Sequence, residues 1–212
     1  MASQQNIIKY AKILLFLFAL VPFGLLVARG FSGTLGANPV ETITHSTGQW
    51  SLRLLLLTLA ITPLRQLTGW NALQRGRRML GLFAFFYACL HILTFLVFDH
   101  FFNWPAIFED IIERPYITLG FTAFILLIPL AITSTKRMMQ RLKRNWQRLH
   151  RLIYPAAGLA VVHFLWLVKA DLLEPMIYLS VLLVLLGYRV WRYWQKRAKA
   201  EHAVAIALSS ER

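Results

Sequence analysis

The 212 residues are 58% hydrophobic and only 15% charged, with a formal net charge of +14 and a mean hydropathy of +0.54. A soluble globular chain carries about 25% charged residues, so this composition excludes an ordinary soluble domain and a disordered polycation. The single cysteine, Cys89, excludes an internal disulfide, a CxxC zinc site and a CxxCH haem-attachment site.

Taken in chain order, the uncharged runs read as membrane helices. The first, Ile13 to Ala28, is preceded by Lys9 and Lys12. That resembles a leader, yet Val27-Ala28-Arg29-Gly30 is a poor cleavage site, and the run is expected to be a retained first helix. The segment 29–46, with Gly30, Gly33, Gly36 and Pro39, reads as irregular. The second run, Leu54 to Leu64, extends back to about Thr47 with Arg53 inside it. The third is Met79 to Phe98, and Trp104 to Glu113 reads as a short amphipathic helix in the interface plane. Pro115 to Thr135 and Leu152 to Val168 follow, and a last run from Pro175 to Tyr188 extends to about Trp194. A hydrocarbon core of about 30 Å needs about 20 mostly apolar residues, and backbone in lipid must bond to itself. The expected fold is an all-α integral membrane bundle of six transmembrane helices over 1–194, with a short cytoplasmic tail at 195–212.

Charge sets the expected orientation. The N-terminal segment, the 65–78 loop, the 135–151 loop and the tail from Arg189 carry 2, 4, 7 and 6 Lys or Arg, 19 of the 23. The alternate loops hold Glu41, Asp99, Glu109, Asp110, Glu113, Asp171 and Glu174, seven of the nine acids. Lys and Arg collect on the cytoplasmic side, so both termini are expected there. The basic runs then meet anionic lipid headgroups, and no nucleic-acid partner is expected. Trp70, Trp104, Trp146, Trp166, Trp191 and Trp194 near span ends read as interface-belt residues.

Ionisable groups inside a membrane are functional suspects by default. His91 follows Arg78, and His163 follows Arg151, at nearly the same spacing from the basic edge. At about 1.5 Å per residue both sit about 18–20 Å from the basic side, level with one another on the third and fifth spans. Two imidazoles at one depth can ligate a haem iron from opposite faces, with Phe85, Phe86, Phe95, Phe164 and Trp166 as candidate porphyrin surroundings. The alternative is that each ring bonds a neighbouring helix. No carboxylate lies inside a span, which disfavours a metal hydrolase or a carboxylate proton path. His150, at the basic start of the same span as His163, stands where a second haem would need a ligand. An ideal helix would turn the two rings about 140° apart, although Pro155 can change the phase. The matching level of the third span holds Arg77 and Arg78, which suit propionates or phosphates and do not ligate iron. His45, Gln49 and Arg53 share one stripe. They read either as a polar rim for haem propionates or a quinone headgroup, or as a helix start capped by Thr44 with Arg53 snorkelling. His100 and His202 read as solvent residues, and Cys89 as a small hydrophobe.

Several short motifs carry a resemblance. They are Gly36-Ala37-Asn38-Pro39-Val40-Glu41, His45 with Thr47-Gly48, Ile61-Thr62-Pro63-Leu64, and Arg77-Arg78-Met79-Leu80-Gly81-Leu82 with His91. Arg114-Pro115-Tyr116-Ile117-Thr118-Leu119-Gly120, Trp146-Gln147-Arg148-Leu149-His150 and His163 complete the set. In this order, from the first helix to about Tyr188, the chain resembles the MsrQ (YedZ) family within the ferric-reductase-like transmembrane superfamily. The resemblance implies a multi-pass b-type cytochrome of the bacterial inner membrane with haem b, one or two per chain, and FMN. It implies electrons taken from the quinone pool and passed to an MsrP-like periplasmic molybdopterin reductase that repairs methionine sulfoxide in oxidised proteins. His91 and His163 then become the axial pair and His150 an additional ligand. The wider superfamily often has two histidines on the third helix, whereas this chain has only His91. The segment after Trp194 is too short for a flavin/nicotinamide domain, so a relay subunit is expected. The rival readings are a stand-alone membrane ferric or flavin-linked reductase, a channel or transporter, and a cofactor-free membrane scaffold.

Overall fold

The computed structural model describes the backbone of residues 2–168 and 171–210, and side chains within 6–168 and 171–201. These residues form nine α-helices with short 3-10 and π segments, and no strand. The long helices are α1 (Ala2–Phe31), α2 (Pro39–Thr68), α3 (Gln74–Thr94), α5 (Pro115–Ile132), α8 (Ile153–Leu167) and α9 (Leu173–Ser210); the short ones are α4 (Trp104–Glu113), α6 (Lys136–Leu142) and α7 (Arg144–Leu149).

Four stretches are long and apolar enough to cross a membrane: Asn6–Phe31, Asn71–Asp99, Pro115–Ile132 and Leu173–Glu201. The remaining two expected spans fall short for separate reasons. Helix α8 has only 15 residues, and α2 carries Glu41, Arg53 and Arg65 along its length. Both are nonetheless built into the core, α2 lying along α3 and α5 along α8. Helix α1 leaves Leu14, Phe18 and Leu25 exposed; such surface suits lipid, which needs no polar cover.

Local chemistry sets the helix ends. The side chain of Asn38 accepts a bond from the Glu41 N–H, and Pro39 occupies the first turn of α2, a start signal in which proline gives up only an N–H that is orphaned anyway. Within 29–46, residues 32–38 are irregular as expected, whereas 29–31 and 39–46 belong to α1 and α2, so the irregular reading is corrected at both flanks, and Thr44 lies inside α2 instead of capping it. Gly69 ends α2 in the left-handed region (φ 71°), with its N–H on the Arg65 carbonyl, a cap that glycine makes without a Cβ clash. Beyond Trp194, α9 continues without a break to Ser210.

Helix α1 is fastened to α3 by one buried hydroxyl. Tyr87 donates to the Ala19 carbonyl at 2.7 Å and accepts from the Phe23 N–H at 3.1 Å. It thus sits inside an i to i−4 bond of α1, next to Pro22, which has no N–H of its own. An inserted side chain beside a proline is an identifiable cause of a helix bend.

Candidate functional site

His91 on α3 and His163 on α8 face one another across a cavity of about 450 Å³. Their ring centroids are 6.2 Å apart and the ring planes cross at 72°. Each ring is fixed from behind by a backbone carbonyl of the neighbouring helix. His91 Nδ1 lies 2.9 Å from the Thr44 oxygen on α2, and His163 Nδ1 lies 2.7 Å from the Tyr116 oxygen on α5. A carbonyl can only accept, so both Nδ1 atoms carry the proton and both Nε2 atoms keep a free lone pair. A partner bond of this kind commonly sets the tautomer of a metal-ligating histidine.

Those carbonyls are reachable because two glycines let the helices close on the rings. A Cβ at Gly48 would stand 3.0 Å from His91 Nδ1, and one at Gly120 only 2.8 Å from His163 Nδ1. Each glycine lies four residues after the residue whose carbonyl holds the ring, so carbonyl and glycine share a helix face. The glycines stand in the motifs Thr47-Gly48 and Leu119-Gly120, where sequence spacing gives them no expected role. A glycine inside an apolar helix nevertheless signals close backbone approach, and that signal is present in the sequence.

The 6.2 Å between ring centroids, with both Nδ1 atoms committed to carbonyls, leaves the two Nε2 atoms as the donors that would hold a metal between the rings. Neutral nitrogen donors in an apolar, aromatic pocket match haem ligation. Phe95, Phe124 and Phe164 line the cavity with Ala88 and Leu127. Of the expected aromatics, Phe85 stacks on Phe124 at 5.7 Å, Phe86 packs against Phe23, and Trp166 is exposed. Among the described residues, no group of three or more His, Cys, Asp or Glu side chains offers a purely protein-built metal site.

The remaining sequence-selected residues separate. His45 and Gln49 line the cavity, His45 being exposed and 4.0 Å from Glu41. Arg53 turns away from the cavity toward α9, donating to Tyr178 at 2.7 Å and to Glu174 at 3.1 Å, with Gln49 bonded to the same carboxylate. It neither lines the cavity nor snorkels free. His150 belongs to a 3-10 turn, His150–Leu152, so the straight-helix phase argument fails. Its Nε2 meets the Thr133 hydroxyl at 3.0 Å, and its ring stacks 4.0 Å from Trp146, whose indole N–H bonds the Thr133 carbonyl. Burial, with the Arg77 charge adding to it, pushes the His150 imidazole below its ordinary pKa. Arg77 points inward to Thr62, whereas Arg78 is exposed beside Lys12 and Phe16 of α1. The His202 side chain lies outside the described residues.

His100 is not a solvent residue. Its side chain is 13% exposed and bonds Asp110 at 3.1 Å, and the same carboxylate holds Arg114 at 3.2 Å. The chain reaches this position through a π turn at Phe95–Asp99 and left-handed Phe101 and Phe102 (φ 47° and 58°). That reversal folds the His100 ring onto Phe95, 4.5 Å away, a placement that hydropathy does not encode.

Comparison with known proteins gives the family. Residues 47–161, the stretch containing His91 but ending just before His163, match the family model described as ferric reductase like transmembrane component. The chain is 56% identical over 198 residues to the protein-methionine-sulfoxide reductase heme-binding subunit MsrQ of Xanthomonas euvesicatoria pv. vesicatoria (strain 85-10), covering 91% of each chain. It is 61% identical over 173 residues to the protein of that name in Xanthomonas campestris pv. campestris (strain 8004), covering 81% of this chain and 79% of the relative. The corresponding protein of Herminiimonas arsenicoxydans is 55% identical over 191 residues, covering 89% and 88%. With helices long and apolar enough for a membrane and two imidazoles lining one cavity, the chain belongs to the MsrQ family of ferric-reductase-like transmembrane proteins.

Proposed function

We propose that this chain is a b-type cytochrome of the bacterial inner membrane, relaying electrons from the quinone pool to an MsrP-like periplasmic molybdopterin reductase that repairs methionine sulfoxide. The observation that carries the reading is the His91–His163 pair, 6.2 Å between centroids, with both Nδ1 atoms committed to carbonyls. The names of the relatives, heme-binding subunits of a protein-methionine-sulfoxide reductase, support it.

His91 and His163 would hold haem b through their Nε2 atoms, and the haem would supply reversible one-electron exchange. The carbonyls of Thr44 and Tyr116 hold the two rings in the donor tautomer and limit their rotation. Phe95, Phe124 and Phe164 keep water from the pocket. His45 and Gln49, at its polar end, are positioned for propionates or a quinone headgroup. His150 Nε2 meets the Thr133 hydroxyl, so we assign one haem per chain to the described pair and keep His150 as the additional ligand that a second haem would need. FMN is retained as the second cofactor of the family.

We place six spans in the membrane by adding α2 and α8 to the four strongly apolar helices. The basic ends of the bundle, and both termini, then face the cytoplasm. The asymmetry of 19 Lys and Arg on one side against seven acids on the other supports this orientation. The acidic outer segments are suited to steering a docking partner.

The test is an absorption spectrum of the detergent-purified protein, oxidised and dithionite-reduced, with haem quantified per chain. A sharp reduced α band, one haem per chain, and its loss in both His91→Ala and His163→Ala are expected, with His150→Ala unchanged. A colourless wild-type protein from haem-replete cells, or an unaltered spectrum in both axial variants, refutes the cytochrome. The family model's own description makes a chelated-iron reductase the second reading. Reduction of ferric chelate in preference to an oxidised protein by the reconstituted chain would favour it.

A further inference from the structure

We propose that Arg65, Arg77, Arg189 and Arg192 form a phosphate-binding site at the end of the bundle opposite the mouth of the His91–His163 cavity. Three elements bring them together. Arg65 stands in the last turn of α2. Arg77 lies in the first turn of α3, within charge–charge reach of both Arg65 and Arg189. Arg189 and Arg192 are three apart on α9, so they share a face. Helices α2 and α9 run side by side in the same direction, joined by Arg53 to Tyr178 at one end and by Gln66 to Tyr188 at the other.

Three of these guanidiniums, those of Arg65, Arg77 and Arg192, are poorly served by the protein. The Nε atoms of Arg65 and Arg192 are fully covered and have no hydrogen-bond partner among the described residues. Arg192 otherwise reaches Gln195, at a long 3.4 Å. Arg77 is half-buried, and its side-chain bond to Thr62 is equally long, at 3.4 Å. Arg189 is held over the Tyr154 ring at 5.3 Å and is fixed by two backbone carbonyls, of Leu185 and Leu59. Among the described residues no carboxylate forms a salt bridge with any of the four. Seven of the nine acids of the chain lie in the segments at the other end.

Arginine does not lose its proton in proteins. Three of these cations, Arg65, Arg77 and Arg192, have covered or weakly partnered N–H groups, which is costly unless an anion completes them, and Arg189 adds a fixed positive charge beside them. The planar fork of guanidinium matches the oxygens of a phosphate through paired, charge-assisted bonds. A tetrahedral anion, with several acceptor oxygens and a charge, can be shared among several arginines, whereas a neutral carbonyl oxygen offers only two lone pairs and no charge. The expected ligand is therefore a phosphate group, carried either by an anionic lipid headgroup or by a free phosphate in solution.

Delipidated full-length protein in detergent tests this by thermal unfolding and native mass spectrometry. Phosphatidylglycerol, phosphatidylcholine and inorganic phosphate are added separately, with sodium chloride matching ionic strength. Retention of phosphatidylglycerol at one per chain, with a Tm rise beyond that from phosphatidylcholine, supports the site with a lipid source. An equal rise from inorganic phosphate supports it with a soluble source. In either case Arg65→Gln with Arg192→Gln should weaken binding at least tenfold. The exposed-site control Arg75→Gln should leave it unchanged. Arg192→Lys, which keeps the charge and loses the fork, provides a milder variant if the double substitution does not fold, and should also weaken binding. Wild-type protein stabilised no more by phosphatidylglycerol or phosphate than by salt overturns the proposal. So does a helical, folded Arg192→Lys or double variant that binds like wild type.

Discussion

Replacing Gly120 with alanine puts a methyl group where the His163 imidazole already is. The added Cβ would lie 2.8 Å from Nδ1, 3.0 Å from Cε1 and 3.1 Å from Cγ. Ordinary contact begins at 3.4 Å, so 3.4 − 2.8 leaves 0.6 Å to be found. The ring is not a flexible tip that swings aside, because Nδ1 is held at 2.7 Å by the Tyr116 carbonyl on the same helix face. Either the ring turns off that carbonyl or α5 parts from α8. Forced insertion of a methyl into a packed site costs about 1–3 kcal/mol, which corresponds to a roughly five- to 150-fold loss of haem affinity if the bound state carries the strain. Gly48→Ala, at 3.0 Å from His91, should cost less. Gly158→Ala on α8 meets nothing within 4 Å and should be neutral or stabilising by up to about 1 kcal/mol, since alanine is the better helix former. The assay is haem content, reduced-minus-oxidised spectrum and Tm of the three variants, purified side by side. Full haem occupancy, an unshifted spectrum and unchanged Tm in Gly120→Ala would refute the close seating of His163 on α5.

Further predictions concern how the bundle is held. Tyr87→Phe removes the hydroxyl bridging Ala19 and Phe23; leaving both backbone groups unmet should cost about 1–3 kcal/mol, read as a lower Tm with haem ligation retained. Arg53→Met and Glu174→Gln break the link between α2 and α9, whose side chains are 36% and 42% exposed. Solvent screening limits their coupling to about 0.2–1 kcal/mol in a double-mutant cycle, and a value of several kcal/mol would show that the pair is far better shielded than its exposure indicates.

Much of this protein can be read along single helices. Hydropathy and the placement of Lys and Arg are local properties, and they mark the apolar runs and give the expected orientation without reference to neighbours. The equal depth of His91 and His163 follows from counting residues at a fixed rise per residue. Asn38-Pro39 is a readable helix start as well, although the glycines upstream obscure it. Rotation and packing decided the rest. Whether two level histidines point at one another depends on the angular setting of α3 against α8, and sequence spacing within either helix does not fix that angle. The carbonyls of Thr44 and Tyr116 became acceptors because glycines four residues on allow close approach. Arg53 found Glu174 on a helix distant in sequence, and a left-handed reversal at Phe101 and Phe102 brought His100 to Asp110. Hydrophobic pattern determines which segments are buried; the contacts between helices, specific in direction and short in range, determine which polar groups meet.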